Sequence, residues 1–334
     1  MKKMERQAGL CCLSLCLLLL FLSCDSTPKV KVRKQSKIEI PPFRFNADSA
    51  FLFIENQLAF GPRVPNSIGH KKCAQWIVRK LKSYGAKVTE QKADLMAYDG
   101  KVLKSVNIIA SFNPKAKKRL FLCAHWDTRP IADQDNTNQD LPIPGANDGG
   151  SGVAILLEIA RQLQKDSVEY GVDLIFFDAE DYGAPRSHPK AGTSDTWCLG
   201  SQYWSKHPHR AGYNPKYGIL IDMVGAKGAT FAMEGNSMSY AGSIMKRTWQ
   251  IAHQLGHSQY FIYDKVAPII DDHLFINQMA NFPCIDIVHY DPMAKNSFGD
   301  YWHTHDDNIE VIDKQTLDAV GQTLMGVIKS EGLN

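Results

Sequence analysis

The chain has 334 residues, 44% hydrophobic and 22% charged, which is enough to bury a substantial core as one large or two small domains. Its formal net charge of +3 comes from scattered basic residues, with no arginine-rich or aromatic-interleaved patch, and this argues against nucleic acid as a partner.

Residues 1–24, MKKMERQAGLCCLSLCLLLLFLSC, combine a short basic head with an apolar run ending at Leu22. That run is short for a membrane span, so a secretory signal is expected. Ser23 before Cys24 resembles the end of a bacterial lipobox, in which the cysteine is lipidated and becomes the new N-terminus; Phe21 and Leu22 match it imperfectly, and simple cleavage to a soluble exported protein is the alternative. Both readings predict export, to the periplasm, with membrane contact only through a lipid on Cys24. Residues 25–46 are basic and polar with a proline pair, as suits a tether, and 47–334 read as a single domain. The four cysteines beyond the signal, Cys73, Cys123, Cys198 and Cys284, lack CxxC spacing, and no pairing can be assigned to them. Cys123 and Cys284 lie in apolar runs that suit core thiols.

Within that domain, DSAFLFIENQLAF and SIGHKKCAQWIVRKLKSYG have helical apolar spacing, the second ending at a glycine. AKVTEQKADL and SVNIIASF alternate like a hairpin, and RLFLCAHWD reads as a buried strand. A helix from NDGGSGVAILLEIARQLQ, a strand from VDLIFFDAE and a strand from YGILIDMVG follow, then helices from SYAGSIMKRTWQIAHQLG and DDHLFINQMA, a strand from FPCIDIVHY and a last helix from DKQTLDAVGQTLMGVIKS. The alternation predicts an α/β protein, a three-layer sandwich around a mixed, mostly parallel twisted sheet.

The polar residues cluster where these strands end. RLFLCAHWD delivers His125 and Asp127, LIFFDAED delivers Glu180 and Asp181, GILIDMVG delivers Asp222, and CIDIVHYD leads on to YWHTHDD and His303; Asp148 precedes the helix after the first of them. Ligands of open α/β sheets bind beyond the carboxyl ends of strands, so these groups are expected to meet. Converging carboxylates need a cation, since each unpaired buried charge would cost several kcal/mol or be neutralised by a shifted pKa. Oxygen and nitrogen donors around an open position suit catalytic zinc better than a closed cysteine site.

The ordered series HxD, GANDGGSG, FFDAED, LIDMVG, DDH and WHTxDD resembles the zinc exopeptidase superfamily and, within it, the glutaminyl cyclases, over nearly the whole of the chain beyond the tether. The resemblance implies a zinc exopeptidase-like fold and conversion of N-terminal glutamine of peptides and exported proteins to pyroglutamate with release of ammonia. It implies Asp148, Asp181 and His303 as ligands of one Zn²⁺, Glu180 as general acid and base, Asp222 and Asp271 as acids of its proton network, and Trp302 and Trp197 as walls of the glutamine pocket. Asp181 stands where many relatives have Glu, and its shorter arm would draw the ion toward the strand.

Each residue also has a plainer reading: Asp148 as an N-cap, His303 as a structural histidine, the Glu180–Asp181 pair as a solvated turn, Trp302 as packing. Asp178 reads as a strand-end residue bonded to nearby backbone, with Gly183 allowing the chain to turn. His125 and Asp127 are candidates for a second metal or for support behind the first, because two-zinc aminopeptidases of the superfamily hold a second ion with a histidine of HxD and an aspartate like Asp222. A two-zinc aminopeptidase is therefore the competing enzyme, and a catalytically silent surface receptor on the same fold the non-enzymatic alternative. His305, Asp306 and Asp307 are expected to form a hydrogen-bonded turn, with His305 a lesser candidate ligand.

Overall fold

Every second residue of the central strands faces the same layer, and that alternation divides the core in two. The computed structural model describes residues 37–331 apart from 292 and 296; the expected signal, Cys24 and residues 25–36 of the expected tether lie outside the described residues. From Ile38 onward the chain forms one compact unit. Helices α1 (Ala47–Leu58) and α2 (Ile68–Ser83) lead into strands β1 (Lys87–Met96), β2 (Val102–Phe112) and β3 (Arg119–His125). Then come α3 (Gly150–Lys165), β4 (Gly171–Phe177), α4 (Leu199–Lys206), β5 (Gly218–Asp222) and β6 (Phe231–Met233). The rest is α5 (Gly235–Gln254), β7 (Phe261–Lys265), α6 (Asp272–Phe275) with a π turn after it, β8 (Cys284–Val288) and α7 (Lys314–Glu331).

The main sheet has the order β1-β2-β4-β3-β5-β8. The β1–β2 and β2–β4 pairs are antiparallel and the β4–β3, β3–β5 and β5–β8 pairs parallel, the mixed sheet that the sequence predicts. One layer gathers Leu120, Leu122, Leu174, Phe176, Ile219, Ile221, Ile285 and Ile287 against α1, α2, α3, α5 and α7. The intervening residues Phe121, Cys123, Ile175, Phe177, Leu220 and Cys284 face Trp204 of α4 and Ile276 after α6, which completes three layers. Cys73, Cys123, Cys198 and Cys284 are all buried free thiols.

The sequence reading misses α4 and the small parallel β6–β7 sheet. β6 has only three residues, too short for a period to register. It also draws the tether too long: Ile38, Ile40, Phe43 and Phe45 pack against the core, and Ile38 exchanges backbone hydrogen bonds with the Gln254 side chain.

Register aligns the functional ends. His125 lies opposite Phe177 across β3–β4 and Asp222 opposite Val288 across β5–β8, so three parallel strands stop at one level and deliver His125, Asp178 and Asp222 together. α3 packs close because Gly152 has no side chain: a Cβ there would meet the Ile221 carbonyl oxygen at 2.6 Å.

Candidate metal centre and pocket

Asp148 and Asp181 come to the end of the sheet from two turns, and His303 from the loop before α7. Asp148 does not cap α3; Gly149 does, with a φ of 78° and no side-chain capping bond. That left-handed position suits glycine, and a Cβ on it would meet the Asp127 carbonyl oxygen at 2.5 Å. Asp148 is thereby left free to project into the site, while the Asp307 carboxylate accepts the Asn147 and Asp148 backbone N–H groups. The turn that the sequence predicts is present, with the Asp307 N–H bonded to the Thr304 carbonyl, and the Asp307 side chain in addition reaches across 159 residues to fix the candidate ligand loop. His305 bonds Asp135 and stands outside the donor groups that could hold an ion among the described residues.

The DAED segment turns at Ala179, whose φ is 54°, and not at Gly183. Gly183 is needed for another reason: a Cβ there would overlap the Trp197 ring. The turn is held from below by Asp178, which accepts from the Val106 and Ala179 N–H groups and bonds His70 Nε2 at 2.8 Å. It is held from behind by Asp127, which accepts the Glu180 and Asp181 N–H groups at 3.1 and 3.2 Å. Asp127 is thus a scaffold for the turn and lies outside the candidate donor groups among the described residues. Ala179, Cys198, Met223 and His303 all have positive φ, a concentration of backbone strain around one site.

Donor atoms of Asp148, Asp181 and His303 lie within 4.8 Å of one another. His303 Nε2 is 3.2 Å from Asp181 Oδ1 and 3.7 Å from Asp148 Oδ2. Both Asp181 oxygens are enclosed without a well-formed hydrogen bond among the described residues, so the donor set fits a cation such as zinc. Without one, burial and the charge of Asp148 push the Asp181 carboxyl up to about 6. His303 Nδ1 is 3.2 Å from Asp133, which also receives Arg129 Nε and Nη2, and this orients Nε2 toward the acids. Sequence reasoning misses Asp133 and Arg129 because neither sits at a strand end; the RP dipeptide after HWDT is the only local sign of a structured loop.

A second donor group shares Asp148: His125 Nε2 is 3.0 Å from Asp148 Oδ1 and 3.1 Å from Asp222 Oδ1. Asp222 also accepts the Met223 N–H. Glu180 belongs to a third group, with Cys198 and Asp271, and the Cys198 Sγ lies 3.2 Å from Glu180 Oε1. Burial pushes the Glu180 carboxyl well above the carboxylate range, the charges of Asp181 and Asp271 adding to it against His125. Asp271, which accepts the Asp272 N–H at the start of α6, is pushed up by burial and then by Asp222 and Asp272.

These groups open on one cavity of about 400 Å³, lined by Asp148, Glu180, Asp181, Asp222, Asp271 and His303 and walled by Trp197, Phe298 and Trp302. The Trp302 ring stacks on His303 at 3.7 Å, and the Trp197 ring lies 6.0 Å from His303 with the Arg129 guanidinium over it at 4.6 Å. A larger cavity, about 800 Å³, sits around Lys117, Tyr170 and Lys216, away from all of these residues.

Residues 107–328 match peptidase family M28. The chain is 50% identical to the glutaminyl cyclase of Bacteroides thetaiotaomicron solved with N-acetylhistamine, over 87% of this chain and 99% of that one, with a TM-score of 0.84. It is equally 50% identical to a structure described as a leucine aminopeptidase precursor from the same organism, over 87% and 99%, with a TM-score of 0.83. The glutaminyl-peptide cyclotransferase of Bos taurus is 30% identical over 65% of this chain. The chain spans only 63% of the length of the Boiga irregularis cyclotransferase it matches and 64% of that of Bos taurus. With the family match running from β2 into α7, across every strand of the main sheet but β1, the chain belongs to peptidase family M28.

Proposed function

We propose that this chain is a glutaminyl-peptide cyclotransferase, which closes N-terminal glutamine of peptides to pyroglutamate with release of ammonia. The observation that carries the reading is the shared pocket: three candidate ligands, a half-buried acid with a raised pKa and two tryptophans line one cavity of about 400 Å³. The family membership and the cyclases among its relatives support the same conclusion.

Asp148, Asp181 and His303 would hold one zinc ion, which when bound would supply Lewis acidity toward an amide carbonyl. Trp197 and Trp302 flank the aliphatic part of the glutamine and keep it curled, so that its α-amine nitrogen faces its own side-chain carbonyl carbon. The new C–N bond forms there as the bond to the amide nitrogen breaks. Glu180 takes a proton from the α-amine and returns one to the departing ammonia, a task suited to a carboxyl that burial raises well above the carboxylate range. Asp271, in the same donor group as Glu180, and Asp222 share charge with it as the proton moves. Water is not consumed.

The second reading, a two-zinc aminopeptidase, draws on the additional donor group of His125, Asp148 and Asp222. Incubating the purified protein with a Gln-initiated peptide separates the two. A mass loss of one ammonia with the chain intact supports the cyclotransferase, and release of free glutamine rejects it.

We further propose that the chain acts outside the cytoplasm, tethered by a lipid on Cys24, on exported proteins whose processing exposes glutamine. The Ser23–Cys24 junction supports this, and no helix among the described residues is long and apolar enough to cross a membrane. Unchanged membrane fractionation of a Cys24→Ala variant would remove the anchor.

A further inference from the structure

Behind the pocket floor lies a group of donors that the proposed reaction leaves unused. Asp271, His273 and Asp286 present donor atoms within 4.8 Å of one another, and His273 and Asp286 are fully buried. Two features of the Asp148–Asp181–His303 group recur there. Asp286 keeps both carboxylate oxygens without a hydrogen-bond partner among the described residues, as Asp181 does. His273 Nε2 is 3.0 Å from the Glu234 carboxylate, as His303 Nδ1 is 3.2 Å from Asp133. Glu234 thus fixes the proton on Nε2 and leaves the Nδ1 lone pair, itself unpartnered, turned toward Asp286 Oδ2 at 3.7 Å. That separation is near the roughly 3.4 Å edge expected between ligands about 2.1 Å from a tetrahedral ion.

The cluster has an entry, because Asp271 lines the pocket. It also has a reason to accept a cation: burial, and then the charges of Asp271, Glu234 and Asp222, push Asp286 well above the carboxylate range. Asp271 has donor atoms in both this group and the group containing Glu180.

We propose that Asp271, His273 and Asp286 form a second divalent-cation site of the zinc type, and that its occupation inhibits the enzyme by withdrawing Asp271 from Glu180. The inhibitory half rests on the proposed cyclotransferase reading; the binding half does not. The site is chemically distinct from the His125, Asp148 and Asp222 group, with which it shares no residue.

The test is equilibrium dialysis of the full chain against buffered free zinc, read as zinc bound per chain, with cyclisation of a Gln-peptide followed in parallel. The wild type should bind a second, weaker equivalent, and turnover should fall by about a hundredfold or more as it binds, the share that acid–base groups contribute. Asp286→Asn and His273→Gln should each bind one equivalent and, where circular dichroism shows them folded, keep turnover at high zinc. His125→Gln should still bind two. A wild type that binds only one equivalent overturns the site, as does a second equivalent that survives in both Asp286→Asn and His273→Gln or is lost in His125→Gln. A second equivalent without inhibition overturns the regulatory half. Two equivalents with no cyclisation at any zinc level would instead remove the proposed function and leave the site standing.

Discussion

Asp173, near the start of β4, and Asp181, just past its end, are both enclosed, yet they stand in opposite circumstances. Asp173 receives Arg119 Nε at 2.6 Å and Nη2 at 2.8 Å, Tyr213 Oη at 2.8 Å and Ser111 Oγ at 2.6 Å. Asp181 has no well-formed hydrogen bond among the described residues, and only His303 Nε2 at 3.2 Å and Arg129 Nη1 at 3.6 Å stand near it. A buried acid surrounded by donors has the chemistry of a structural joint; one left bare has the chemistry of a ligand. The amino end of the strand holds the sheet together, and the carboxyl end is kept incomplete without a cation.

The largest effect should come from the carboxyl end. Glu180→Gln removes the proton carrier without changing shape, so turnover should fall about 10²–10⁴-fold. Zinc content and melting temperature should stay at wild-type values. Turnover within a few-fold of wild type would take Glu180 out of the mechanism.

The two aspartates can be compared directly in metal-free protein. Asp173→Asn leaves the buried Arg119 guanidinium without its counter-charge and should cost about 3–5 kcal/mol of stability, read by denaturant unfolding. Asp181→Asn removes a buried charge that has no well-formed hydrogen bond and only loose ion pairs with His303 and Arg129, so metal-free stability should hold or rise by up to about 1 kcal/mol. Zinc retention should be lost only in the second variant. Equal destabilisation by both would mean that Asp181 is a joint like Asp173, and the contrast would fail.

How far this contrast is legible beforehand depends on whether the signal is local. Strand-end positions of Asp181, Glu180 and Asp222 follow from apolar runs that stop at acids, and the layering follows from alternation along β3, β4, β5 and β8. What sits behind those residues comes from elsewhere in the chain. Asp133 reaches His303 across 170 residues and His70 reaches Asp178 across 108, and no period or spacing encodes either pair. Asp173 is hidden for the same reason: an acid inside an apolar strand looks like an exception until Arg119 and Tyr213 are beside it. The turn at Ala179 is misread as a glycine turn because sequence shows where left-handed backbone is easy, while the surrounding bonds decide where it is imposed.

Glu234 extends the comparison to a third acid and makes it a matter of pH. Burial alone would raise it, but His273 and the Ser237 and Asn236 N–H groups hold it down to about 2. The unfolded chain therefore binds a proton over a range where the folded chain does not. The stabilisation, roughly 3 kcal/mol from the size of that shift, is complete above about pH 4.5 and fades as pH falls toward 2. Glu234→Gln should lose that contribution at neutral pH and converge with the wild type in acid. Parallel pH profiles for the two proteins would show that the carboxylate contributes nothing.

The smallest effect should lie where the satisfied and unsatisfied halves of the site meet, at Asp133. Its carboxylate takes Arg129 through two bonds and turns toward His303 Nδ1 at 3.2 Å, so it acts on the candidate metal only by orienting a ligand. Asp133→Asn keeps an acceptor oxygen in place but weakens the charge that makes His303 a better donor. Zinc affinity should drop about 10–100-fold, the usual cost of losing such a partner, while turnover of the fully loaded enzyme changes much less. Arg129 keeps its bonds to the Asp181 and Gly183 carbonyls, so the fold should survive. If zinc affinity is unchanged but the protein melts early, Asp133 belongs with Asp173 among the joints, and the boundary between scaffold and metal centre must be moved one residue closer to His303.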